Sequence, residues 1–179
     1  GFFDIPVDHL YARPVFTPYL KERLGPNVVV VSPDSGSVKM AQSYCDVLDG
    51  GLAVIAKRRI SATSVTTSHL VGDVKGRTCV ITDDMTSTAG TLCAAADKLK
   101  EEGASKVFAA ITHCVLNEQG YKKLSSNTSI EEMVVTDGIQ VNETLNGKIK
   151  VLSVAPLLGE AIRRIHDGVS VSTLFRIKK

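Results

Sequence analysis

Asp83 and Asp84 stand side by side between the β-branched run "CVIT" and the stretch "MTSTAGT". Adjacent carboxylates are suited to accept hydrogen bonds from the vicinal hydroxyls of a sugar. The residues that follow suit a different group. Ser87, Thr88 and Thr91 carry hydroxyl donors, and Ala89 and Gly90 let a backbone come close to a ligand. If a helix starts there, its first turn adds N–H groups and the positive end of its dipole, which together favour a phosphate. Carboxylates repel phosphate, so something must separate the two. A sugar phosphate does so, and Val80–Thr91 reads as a cradle for one, with Mg²⁺ a fitting neighbour. The same pattern also suits two aspartates that simply end a strand and a threonine that caps a helix.

The elements that must position these residues alternate. "NVVVVSPD", "GGLAVIAKRR", "RTCVITDD", "SKVFAAITH", "IEEMVVTDGI" and "KIKVLSV" read as strands. "SVKMAQSYCDVL", "TAGTLCAAADKLKEEG", "NEQGYKKL" and "APLLGEAIRRIHDG" read as helices between or after them. In the second helix Leu92, Ala95, Ala96 and Leu99 share an apolar face, and Gly103 falls where a C-terminal cap belongs. Pro156 falls in the first turn of the last helix. The alternation predicts an α/β fold: a doubly wound, mainly parallel sheet flanked by helices. Such sheets bind ligands at the carboxyl ends of their strands, where Asp83 and Asp84 lie. One segment breaks the rhythm. Around 57–70 the chain is polar, rich in Ser and Thr and opened by "KRR", predicting a mobile loop or a β-hairpin excursion.

Composition sets the outer bounds. At 179 residues, 44% of them hydrophobic, the chain suits one domain over 1–179 with a sizeable core. A net charge of +2 gives no argument for nucleic acid or an anionic membrane as partner. No apolar run reaches the ~20 residues that span a bilayer. Cys45, Cys79, Cys93 and Cys114 are scattered, never spaced as CxxC, which argues for buried thiols in a reducing, cytoplasmic setting. The opening "GFFDIPV" is apolar and abrupt, so the expectation is a piece of something longer, with 1–14 an interdomain or interface segment. Asp4 and Asp8 are close in sequence, but Pro6 argues against a helix presenting both on one face. His113, closing "ITH", is expected to serve packing and backbone pairing rather than proton transfer.

Eight segments, in order, carry a resemblance: "GFFDIPVDHLYA", "VVSPDSG", "AVIAKRR", "LVGDVKGR", "DDMTSTAGT", "GASKVFAAITH", "LLGEAIRRIHDG" and "SVSTLF". Together they resemble the C-terminal half of the ribose-phosphate diphosphokinases, or phosphoribosyl-pyrophosphate synthetases, whose fold is of the phosphoribosyltransferase type. That resemblance implies transfer of a diphosphoryl group from Mg·ATP to ribose 5-phosphate, giving phosphoribosyl diphosphate for nucleotide biosynthesis. It implies that Asp83 and Asp84 hold the ribose hydroxyls and that Ser87, Thr88, Ala89, Gly90 and Thr91 bind the 5-phosphate. It implies a pyrophosphate loop at Ser35, Gly36 and Ser37, with Asp34 at the metal. It also implies a catalytic pair, Lys57 and Arg59, over the triphosphate, and an anionic effector site near Ser170 and Ser172 between subunits of a homo-oligomer. Three positions depart from the family's pattern. Ser87 stands where aspartate is usual, Ser37 replaces a glycine, and Lys39 stands near a usual arginine. The family's N-terminal half, which supplies most of the ATP site and a catalytic histidine, has no counterpart here, so the isolated chain is expected to be inactive or nearly so. Two other readings share these residues: a non-catalytic subunit that regulates a diphosphokinase, and a stand-alone phosphoribosyltransferase.

Overall fold

The computed structural model describes residues 2–58 and 67–175. Seven strands form one sheet: β1 (Val28–Ser32), β2 (Gly51–Arg58), β3 (Thr67–Val71), β4 (Thr78–Thr86), β5 (Lys106–Cys114), β6 (Glu132–Thr136) and β7 (Ile149–Leu152). Their spatial order is β3-β2-β1-β4-β5-β6-β7, and every pairing is parallel except that of β3 with β2. Among the described residues five α-helices accompany them: α1 (Arg13–Leu24), α2 (Val38–Leu48), α3 (Gly90–Glu101), α4 (Glu118–Ser126) and α5 (Ala155–His166).

A parallel sheet covered on both faces needs strands that are apolar throughout. "VVVVS" of β1 meets this need and is buried at all five positions. Side chains alternate between the faces, so the strands contribute to two cores. On one side Val29, Val31, Ile81, Ala109, Ile111 and Met133 meet Leu92, Ala96 and Leu99 of α3 and Leu124 of α4. On the other Val28, Val30, Val80, Phe108 and Ala110 meet Phe16 and Leu20 of α1 and Ala41 and Tyr44 of α2.

Helix α1 is the element that the residue pattern does not announce. Pro14 lies in its first turn and Pro18 inside it, and proline ordinarily breaks a helix interior. The helix holds because Phe16, Leu20 and Leu24 recur every fourth residue and are all buried, and because Thr17 Oγ1 donates to the Arg13 carbonyl at 2.8 Å. Gly103 follows α3 at φ +89°, a left-handed conformation that glycine adopts without strain, and donates to the Lys100 carbonyl at 3.0 Å. The 57–70 excursion resolves toward a hairpin, with β3 running antiparallel to β2 from Val71 beside Val54 to Thr67 beside Arg58. Residues 59–66 lie outside those described.

All four cysteines are free and buried, and burial pushes the Cys79 thiol up to about 11. The expectation of buried thiols is met. His113 pairs through its backbone with Met85, but its side chain is exposed. Backbone pairing therefore accounts for it and packing does not. Residues 4–8 form no helix, as Pro6 requires. Phe2, Phe3, Ile5 and Val7 are exposed, and so are Leu158, Ile162, Ile165 and Val169 in and after α5.

Candidate functional site

Strands β1 and β4 are neighbours whose chains leave in opposite directions. After β1 the chain crosses through α2 to β2, and after β4 it crosses through α3 to β5. A crevice opens at such a switch point, beyond the carboxyl ends of the strands. Pairing of β1 with β4 runs from Val28 beside Thr78 to Val31 beside Ile81. The last part of β4, including Asp83 and Asp84, therefore extends past the end of β1 and faces the loop that follows it.

A cavity of about 150 Å³ occupies that crevice. Pro33 and Asp34 line it from the first loop, Asp83 from β4, and Ser87, Thr88, Ala89, Gly90 and Thr91 from the second loop and the start of α3. Asp34, Asp83 and residues 87–91, which the resemblance assigned to separate segments, thus lie at one place, whereas Asp84, Ser35, Gly36 and Ser37 do not line the cavity. Asp83 is half-buried and Asp84 is exposed. Burial raises the Asp83 carboxyl above the usual carboxylate range. Hydrogen bonds from Ser37 and from the Asp84 N–H oppose that shift, while the charges of Asp84 and Asp34 reinforce it. Such a site favours hydrogen-bond donors or a cation.

The first loop is organised by Asp34, whose Oδ1 accepts from the N–H groups of Gly36 at 2.8 Å and Ser37 at 3.0 Å, an Asx turn. Ser37 has φ −89°, a conformation open to any residue. Its hydroxyl donates to Asp83 Oδ1 at 2.8 Å. Ser35 is exposed in the same loop. In the second loop Ala89 precedes α3 at φ +52°, ψ 8°, a left-handed conformation in a non-glycine residue. That conformation costs roughly 1–2 kcal/mol and is held by burial of Ala89. Strain of this kind concentrates at sites that bind ligands.

Helix α4 braces the second loop. The N–H groups of Val115 and Asn117 donate to the carbonyls of Thr86 and Ser87, each at 3.0 Å. Asn117 caps α4 by accepting from the Gly120 N–H at 2.9 Å. Asn117→Ala should cost about 1 kcal/mol, seen as a lower urea midpoint with an unchanged slope. One turn beyond Gly120, Lys123 brings its Nζ to 3.7 Å from the position a Cβ on Gly90 would take. The sequence pattern did not single out Lys123. A lysine of the pair in "YKKL" reads as a solvated cation, and only the packing of α4 aims Lys123 at the loop.

The remaining candidates lie elsewhere. Lys57 is on β2, in register with Ser68, and Arg59 falls outside the described residues. Lys39 lines a separate cavity of about 340 Å³ with Tyr11, Arg13 and Tyr44. Ser170 Oγ donates to Ser172 Oγ at 3.0 Å, and the Ser170 carbonyl accepts from Arg164 at 3.0 Å. Neither serine lines the cavity at Asp83.

Residues 58–176 match the family described as phosphoribosyl synthetase-associated domain. The chain belongs to that family. It is 44% identical over 178 residues to a ribose-phosphate pyrophosphokinase of Prochlorococcus marinus, covering 98% of this chain and 54% of that protein. It superimposes on phosphoribosylpyrophosphate synthetase from Mycobacterium smegmatis with a TM-score of 0.84 and 40% identity, covering 94% of this chain and 55% of that one. Similarity to an APRTase from Giardia lamblia, with a TM-score of 0.51 and 15% identity over 66% of this chain and 74% of that one, shows the shared fold alone. The resemblance read from the eight sequence segments is therefore borne out, as is the doubly wound fold. The chain spans about half the length of the curated relatives it matches. None of its described helices is long and apolar enough to cross a membrane.

Proposed function

We propose that the crevice between β1 and β4 binds the ribose 5-phosphate portion of ribose 5-phosphate and of phosphoribosyl diphosphate. The observation that carries this reading is the single cavity lined by Asp34, Asp83 and residues 87–91. Asp83 and Asp84 accept from the ribose hydroxyls, and the 5-phosphate sits against Ser87, Thr88, Ala89, Gly90 and Thr91. The amino end of α3 and the nearby Lys123 support the phosphate assignment, since both bring positive potential to the loop.

Mg²⁺ fits this donor set as an ion shared with substrate. Among the described residues no group of three or more His, Cys, Asp or Glu could hold a metal ion. The chain thus offers carboxylates such as Asp34 rather than a complete cage. Mg²⁺ ordinarily keeps several waters and joins one or two carboxylates to substrate phosphates, which is the role assigned to it here. Ser35, Gly36 and Ser37 form the loop that would receive the diphosphate.

Diphosphoryl transfer from ATP to ribose 5-phosphate, a step in nucleotide biosynthesis, is proposed for a protein of the relatives' full length. There Lys57 and Arg59 would meet the triphosphate, where cations stabilise charge on the transferring phosphoryl oxygens. Ser170 and Ser172 are proposed to bind an anionic effector. The exposed apolar residues of the N-terminal segment and of α5 are proposed to be covered in a homo-oligomer.

Calorimetric titration of ribose 5-phosphate into the 179-residue chain, with and without Mg²⁺, tests the reading. Saturable binding is expected, tighter with the ion when phosphoribosyl diphosphate is the titrant. Folded protein that takes up neither sugar phosphate would overturn it.

A further inference from the structure

Ser37 and Asp83 belong to different βα units, 46 positions apart, yet the Ser37 hydroxyl donates to Asp83 Oδ1 at 2.8 Å. The Asp84 N–H donates to the same oxygen at 3.0 Å. Both donors are spent on Oδ1, and no hydrogen bond to Oδ2 is formed among the described residues. Asp83 lines the cavity, so Oδ2 is the oxygen left for a ligand. Ser37 itself is held independently of Asp83, because its N–H donates to Asp34 Oδ1 at 3.0 Å.

We propose that Ser37 is a positioning residue for sugar selectivity: its hydroxyl pins the Asp83 carboxylate so that Oδ2 meets one hydroxyl of a ribose diol. This rests on the reading of the cavity as a ribose phosphate site. The terminal torsion of an aspartate is broad and weakly restrained. A carboxylate free to turn loses that freedom on binding, whereas a pinned one has lost it already. A site built to receive a particular hydroxyl discriminates against an analogue that lacks it, because a buried acceptor is then left unpaired. Burial of Asp83 makes that penalty larger, and the bond from Ser37 opposes the upward push that burial gives its carboxyl.

The test compares ribose 5-phosphate with 2-deoxyribose 5-phosphate by calorimetry, without metal, on the native chain, Ser37→Ala and Ser37→Thr. Ser37→Ala removes the hydroxyl and keeps the backbone bond to Asp34. The native chain should prefer the ribose sugar, Ser37→Ala should lose roughly tenfold of that preference, and Ser37→Thr should restore it. Preference undiminished in Ser37→Ala overturns the role of Ser37 and leaves the ribose site standing. A native chain that binds both sugars alike overturns the selectivity and leaves the phosphate cradle. A native chain that binds neither overturns the reading of the cavity and the inference with it.

Discussion

A chain carrying Asp83→Asn and Asp84→Asn together loses saturable ribose 5-phosphate binding while keeping its fold. The two carboxylates are the acceptors proposed for the sugar, and a hydrogen bond to a charged group contributes about 1.5–3 kcal/mol against about 1 for a neutral pair. Two such differences sum to about 1–4 kcal/mol and reduce affinity by roughly fivefold to several hundredfold. Stability moves the other way or not at all. Asp83 is half-buried, its carboxyl is held above the usual range by burial, and the charges of Asp84 and Asp34 add to that shift. Neutral amides remove both penalties. Titration of the double variant beside its thermal unfolding curve checks the two halves of this expectation. Native affinity in a folded double variant would remove the sugar from this cavity.

Gly120→Ala is expected to injure both stability and binding, although Gly120 does not line the cavity. A Cβ there would lie 2.7 Å from the Ser87 carbonyl oxygen, 2.8 Å from Leu116 Cδ2 and 3.3 Å from the Thr88 carbonyl carbon. Two of those atoms are backbone and cannot swing aside, and the Ser87 carbonyl already accepts from Asn117. Helix α4 must lift away from the second loop, at a cost of about 1–3 kcal/mol for overpacking. For a domain of this size each kcal/mol lowers Tm by roughly 2–4 °C. Ribose 5-phosphate affinity should fall at least severalfold as residues 87–88 shift. Thermal unfolding and titration of the single variant measure both. Unchanged values would mean that α4 does not fix the loop.

Much of the architecture was legible because its strands are buried on both faces. "VVVVS", "CVIT" and "VFAAI" can satisfy that burial in few other ways, and the helices between them carry their own apolar faces. Helix α1 was not legible. Its prolines signal a break, and its four-residue apolar repeat matters only once a sheet lies beneath it. The aspartate pair and residues 87–91 were legible because they are contiguous in the chain. Ser37 against Asp83 and Lys123 beside Gly90 were not, because each contact joins segments that only the crossovers through α2 and α3 bring together. The family resemblance drew attention to Ser37, but its partner becomes visible only in three dimensions.

The loops that frame the crevice hang from helices in opposite layers, α2 on one face of the sheet and α3 on the other. Each layer has its own apolar contacts, and they meet only through the strands. A sugar phosphate seated across the gap would act as a clasp between them, so its occupancy is felt by the whole domain rather than by two loops. Ligand that binds only the folded chain raises the free energy of opening in proportion to the logarithm of its concentration above Kd. In this fold that increment is shared by both layers, and a domain that takes up such a ligand also becomes harder to take apart.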